Sequence, residues 1–182
     1  MCKMFGHQSA SFTTYSQDDI IKIVKYISKI TLESTDILCL HFSCHGNANG
    51  IAIGSDFINW NQFIKILAPI FINKKIGKKT FIIISACGAN GQLITTKVNS
   101  FDSQLKAKLT PPYYFFVYNQ DTVEWSDSLM CWAILYHQLS KLQDFKKENV
   151  KDILTRIKNS NLGDIKYFRW DESQLKYLRF EP

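Results

Sequence analysis

The order of apolar and polar positions divides the chain into alternating helices and strands. Ser16 followed by Asp19 gives a capping-box pattern, and Ile20, Ile23, Val24, Ile27 and Ile30 recur at helical spacing, which predicts an amphipathic helix over 17–30 with one buried face. Asp36-Ile-Leu-Cys-Leu-His-Phe-Ser43 is a short apolar run that stops at Cys44-His45-Gly46-Asn47-Ala48-Asn49-Gly50, a buried strand leading into a polar, glycine-bearing loop. A hairpin is expected over 51–58. Asn59 then caps a second helix carrying Trp60, Phe63, Ile64, Leu67 and Ile70, which ends near Lys74-Lys75. Thr80-Phe-Ile-Ile-Ile-Ser-Ala-Cys87 is β-branched and continuously apolar, as a central strand buried on both faces is, and it stops at Gly88-Ala-Asn-Gly91. Two buried strands with a helix between them imply a βαβ unit and a parallel pair.

Residues 92–112 are polar and lack a clear period, so they are expected to be a mobile linker. Beyond them the pattern predicts a strand over 113–118, a helix over 128–142, a second helix over 149–159 capped by Asn149, and a terminal strand over 174–180. Alternating strands and helices make this an α/β layered fold without internal repeats.

Composition narrows the class. With 182 residues, 46% hydrophobic and 21% charged, the chain has the size and balance of one packed domain rather than of a disordered or fibrous polymer. No apolar run reaches the roughly 18 residues of a membrane span, and the start has no signal-peptide apolar region, so a soluble, cytoplasmic protein without a membrane partner is expected. The formal charge of +6 comes from short clusters such as Lys74-Lys75, Lys78-Lys79 and Lys146-Lys147, not from a basic stripe interleaved with aromatics, which argues against nucleic acid. The five cysteines, Cys2, Cys39, Cys44, Cys87 and Cys131, are odd in number and show no C-x-x-C spacing. Neither a disulfide framework nor a zinc site fits, no metal or other cofactor is expected, and Cys39 and Cys131 read as small core residues.

In a parallel sheet, functional groups gather at the carboxyl ends of the strands. His45 and Cys87 both fall there, each just past a buried strand and each followed by glycine. Their side chains can therefore face each other across a cleft, as a cysteine nucleophile and its imidazole base must, with backbone N–H groups at Gly46 and Cys87 to hold an oxyanion. Competing residues fit less well. His41 lies inside the apolar run and reads as a satisfied core histidine, Cys44 points to the opposite face from His45, and His7 and His137 have no chemical motif around them. A cysteine phosphatase would need an arginine at position 93, which is Leu93, and a nucleotide-binding domain would need a glycine-rich phosphate loop after the first strand.

These residues resemble the caspases, within the caspase-like clan of cysteine peptidases that also holds metacaspases and CHAT domains. The resemblance rests on Phe5-Gly6 with a strand after it, Ser43-Cys-His-Gly46, Gly54-Ser-Asp56, Lys79-Thr-Phe-Ile-Ile-Ile-Ser-Ala-Cys-Gly88, Glu124-Trp-Ser126, Ile153-Leu-Thr-Arg156 and Leu175-Lys-Tyr-Leu-Arg-Phe180. Around the cysteine the chain reads Ser85-Ala86-Cys87-Gly88-Ala89, with His45 lying 42 residues upstream of Cys87. The resemblance implies a caspase-like three-layer α/β fold with a mostly parallel central sheet. Its large-subunit-like part is 5–91, its intersubunit linker 92–112 and its small-subunit-like part 113–182. It implies that Cys87 attacks a peptide carbonyl, that His45 protonates the leaving amine, and that the Gly46 and Cys87 amides form the oxyanion hole. Asp102 becomes the candidate processing site, and the terminal strand becomes the edge for a homodimer or for a heterodimer with another caspase-like chain, in cell-death signalling.

The substrate pocket departs from the family. The glutamine before Ala-Cys is Ser85, and the arginine of the Ser-Trp-Arg motif is Ser126, after Glu124-Trp125. These changes argue against cleavage after aspartate, and Glu124 and Asp127 bring negative charge toward the pocket, although Asp127 also fits as the cap of a helix at Ser128. Caspase domains also begin with a strand and a helix ahead of the Phe-Gly found here at 5–6, and the chain starts after that part. Two functions follow: a caspase-like cysteine endopeptidase acting on protein or peptide substrates, or a catalytically weak homologue that binds and regulates a caspase partner.

Overall fold

The computed structural model describes residues 6–98, 110–118 and 124–182. Helix α1 (Gln17–Ile27) starts on the expected capping box, with Ser16 accepting from the Asp19 N–H and Asp19 accepting from the Ser16 N–H. It leads to β1 (Leu38–Ser43), then to β2 (His45–Asn47), β3 (Gly50–Ile53) and β4 (Asp56–Asn59). Asn59 caps α2 (Trp60–Ile72) in a second capping box with Gln62. A short 3-10 turn (Gly77–Lys79), β5 (Thr80–Ser85), α3 (Gly91–Val98), β6 (Tyr114–Tyr118), α4 (Trp125–Leu139), α5 (Lys147–Asn159), β7 (Ile165–Asp171) and β8 (Lys176–Phe180) complete the described elements.

The main sheet has the order β1-β5-β6-β7-β8, with β1, β5 and β6 parallel to one another and β7 and β8 added antiparallel. Helices cover both faces, because successive residues of the central strand point to opposite sides. Ile82 and Ile84 of β5 join Phe115 and Val117 of β6 against Val24, Phe63, Ile64, Leu67 and Ile94 of α1, α2 and α3. Phe81 and Ile83 join Tyr114, Phe116 and Tyr118 against Cys131, Trp132, Leu135, Leu154 and Ile157 of α4 and α5. Every residue of β5 and β6 is buried, which is why both read as uninterrupted apolar runs. Because β5 pairs with β6, the sheet joins residues from either side of the 92–112 segment.

The sheet is mixed rather than mostly parallel, because a strand hidden in the sequence pattern supplies an antiparallel neighbour. Lys166 and Arg169 interrupt the apolar residues of β7, a half-buried strand that pairs with both β6 and β8. The polar stretch after His45 is not a loop but the first strand of a separate antiparallel sheet, β2-β3-β4. The proposed linker begins as helix α3, which buries Gly91, Ile94, Thr95 and Val98. Helix α4 begins at Trp125, three residues before Ser128, so Asp127 lies in its first turn and does not cap it. Helix α5 begins at Lys147, and Asn149 bonds Asp144 through its side chain at 2.9 Å instead of capping. Residues 7–14 form no strand. Cys2, Phe5 and the candidate processing site Asp102 lie outside the described residues. No helix among the described residues is long and apolar enough to cross a membrane.

Candidate active site

The parallel ladder of β1 and β5 ends with Ser43 opposite Ser85. Two residues beyond each of these serines stand His45, where β2 begins, and Cys87. The chains stay together past the ladder, since the Cys44 N–H donates to the Ser85 carbonyl at 3.2 Å. His45 and Cys87 line one recess of about 170 Å³, with Cys44, Ser85, Ala86, Trp125 and Ser128 as the remaining described walls.

Gly46 sets how closely the two segments approach. A Cβ at this position would lie 2.9 Å from the Ala86 Cβ and 3.6 Å from the Cys87 carbonyl oxygen, so the hydrogen in its place lets the histidine segment rest on the cysteine segment. On the other side, Gly88 turns the chain away from Cys87 with φ +61°, a left-handed conformation that an L side chain resists.

The hairpin leaves the Gly46 amide uncommitted. β3 and β4 close on the pair Ile53 and Asp56 across two residues, which makes Ile51 and Ile58 a hydrogen-bonded pair. The Ile51 backbone groups are thereby used toward β4, and those of Gly50 and Ala52 face β2. They bond Asn47 and His45, leaving Gly46, opposite Ile51, as the non-hydrogen-bonded position of β2. Its N–H points out of the small sheet, as an oxyanion donor's must.

Helix α4 forms the opposing wall. Its amino end lies at the recess, with the Trp125 ring edge-on to His45 at 6.4 Å between centroids. The positive end of the helix dipole therefore lies beside the recess. One face of its first two turns carries Trp125, Ser128 and Trp132. Ser128 donates to the Trp125 carbonyl at 3.1 Å, and Trp132 donates from Nε1 to Ser85 Oγ at 2.8 Å. Of the proposed pocket residues, Ser85 and Trp125 line the recess, whereas Ser126 and Glu124 are exposed outside it. Glu124 precedes the helix and makes no side-chain cap bond.

Ser128 and Trp132 are the additions to the residues expected from sequence. With the helix start at Trp125, the spacing 125, 128 and 132 puts all three on one side, a signal that a start at Ser128 conceals.

The other thiols and imidazoles have different surroundings. Burial pushes the Cys44 thiol up to about 12, so this sulfur is a wall rather than a nucleophile. Cys131 is buried beneath Tyr118, and desolvation raises its pKa too. His41 has the partner expected of it, with Nδ1 2.7 Å from the Tyr136 hydroxyl and its ring edge-on to Trp132. It is not a core residue, because β1 is the edge strand and leaves it exposed. Desolvation lowers its pKa to about 4. Among the described residues no group of three or more His, Cys, Asp or Glu is arranged to hold a metal ion.

A thiol and an imidazole at adjacent strand ends, a free amide beside them and a helix amino end opposite are together equipped for nucleophilic attack on a carbonyl and for holding the charge that develops. Compared with protein-family models, with curated proteins and with solved structures, the chain matches none of them.

Proposed function

We propose that the chain is a caspase-like cysteine endopeptidase acting through Cys87 and His45. The observation that carries this reading is the shared recess of the two side chains at the carboxyl ends of β1 and β5. Cys87 Sγ attacks the peptide carbonyl as His45 takes the thiol proton, and the Gly46 and Cys87 amides receive the carbonyl oxygen. His45 returns the proton to the leaving amine, and a water that it then activates hydrolyses the thioester. A panel of fluorogenic peptides tests this directly. Turnover by the wild type and its loss in Cys87→Ala are expected, and equal turnover by both would sink the reading.

A second reading, a homologue that binds a caspase-like partner without catalysis, is supported by the outer edge of β8, which among the described strands pairs only with β7 and ends the sheet. Light scattering separates the two: association through β8 is expected of the second reading, and a strict monomer that ignores every such chain counts against it.

A further inference from the structure

We infer that the recess selects an uncharged carboxamide side chain, asparagine or glutamine, on the acyl side of the cleaved bond. This inference rests on the endopeptidase reading and adds its substrate class. Besides the dyad, the described walls of the recess carry no ionisable group except the Cys44 thiol, which burial keeps neutral. Among the described residues that line it, a carboxylate finds no cation and an ammonium or guanidinium finds no anion, so either would lose its hydration there without a charged partner from these walls.

Two nearly buried hydroxyls define what the recess does offer. Ser85 is 7% exposed and Ser128 is 3% exposed, and both line it. Ser85 Oγ accepts the Trp132 Nε1–H at 2.8 Å, so its own proton is left to be donated. Ser128 spends its proton on the Trp125 carbonyl at 3.1 Å, so its oxygen is left to accept. Trp132 follows Ser128 by one helical turn, so the helix that carries the acceptor also holds Ser85, the donor on β5, across the recess. One donor and one acceptor match the C=O and NH2 of a carboxamide. A carboxylate only accepts and leaves the Ser128 lone pairs unpaired, and a lysine or arginine only donates and leaves the Ser85 proton unpaired.

A fluorogenic peptide library varied at that one residue tests the assignment on the full chain, alongside mapping of the cysteine labelled by an acyloxymethyl-ketone probe. Asparagine or glutamine peptides are expected to exceed those with Asp, Lys, Arg or Ala by at least about tenfold in kcat/KM, since a site built to hydrogen-bond a substrate rejects analogues that leave its groups unpaired. Ser128→Ala is expected to lower the ratio of kcat/KM for asparagine over alanine peptides, whereas a purely structural serine would lower both and leave the ratio unmoved. Turnover that favours a charged residue, or a flat profile, overturns the carboxamide assignment while leaving the endopeptidase intact. No turnover of any peptide, with Cys87 unlabelled, overturns both.

Discussion

Gly46→Ala tests the construction of the site with a single methyl group. The added Cβ would meet the Ala86 Cβ at 2.9 Å and the Gly50 carbonyl oxygen at 3.0 Å, where ordinary contact begins at 3.4 Å. The neighbours on the two sides are the cysteine segment and the small sheet's own backbone, so neither yields as a flexible side-chain end would. Restoring contact with Ala86 requires an opening of about 0.5 Å between the histidine and cysteine segments, and overpacking of this kind costs about 1–3 kcal/mol. A misplacement of about 1 Å in a catalytic geometry costs about a hundredfold, so half of that is expected to lower the rate at least about tenfold. Urea unfolding gives the first quantity, and turnover of an asparagine peptide together with the rate of Cys87 alkylation gives the second. Gly88→Ala is the comparison: its Cβ has no neighbour nearer than 3.6 Å, so its cost is conformational, about 1–2 kcal/mol for a left-handed alanine. Gly46→Ala with wild-type unfolding and wild-type alkylation would refute the close approach of the two segments.

Iodoacetamide at pH 8 is expected to modify Cys87 while sparing Cys44 and Cys131, because burial raises both of those thiols and keeps them protonated there; peptide mapping reads the outcome. Trp132→Phe removes the donor from a buried Ser85 hydroxyl and is expected to cost about 1–3 kcal/mol by urea unfolding. Ile82→Ala and Ile83→Ala, on opposite faces of β5, should each lose about 2–5 kcal/mol, and a tolerated substitution at either position would mean that the face it points to is not covered by helices.

Elements whose apolar residues carry their own periodicity were legible in the sequence. Both capping boxes, at Ser16 and Asn59, start helices where expected, and β5 reads directly from Thr80 onward. Helix α3 escaped because two of its four buried positions, Gly91 and Thr95, are not apolar by type: Gly91 lies against the Phe168 ring, and Thr95 bonds back to the Gly91 carbonyl. β7 escaped because its outer positions are Lys166, Arg169 and Trp170, only half covered, so its alternation is blurred. The positions of Cys87 and His45 followed from strand ends alone, since a parallel sheet brings successive carboxyl ends to one edge. What the α4 wall contributes depended on a helix start that no side-chain cap marks, because Glu124 makes no such bond. The hydroxyl pair of Ser85 and Ser128 is likewise a product of tertiary packing, since 43 residues separate them in the chain.

Placing His45 in a different sheet from the strand that leads to Cys87 has a consequence for the order of folding. The unit from β2 through α2 is built from neighbours in sequence: two hairpins, and a helix whose Trp60 indole donates to the Ala48 carbonyl at 2.7 Å. Contacts this local close small loops and form quickly. The pairing of β1 with β5 spans the whole of that unit and is slower for the same reason. The histidine side of the site is therefore expected to form before the cysteine side joins it through the pairing of β1 with β5. In pulsed hydrogen exchange during refolding, the Ile51 amide is expected to gain protection ahead of that of Cys44, and the lag between them is the time for which His45 is in place without Cys87 beside it.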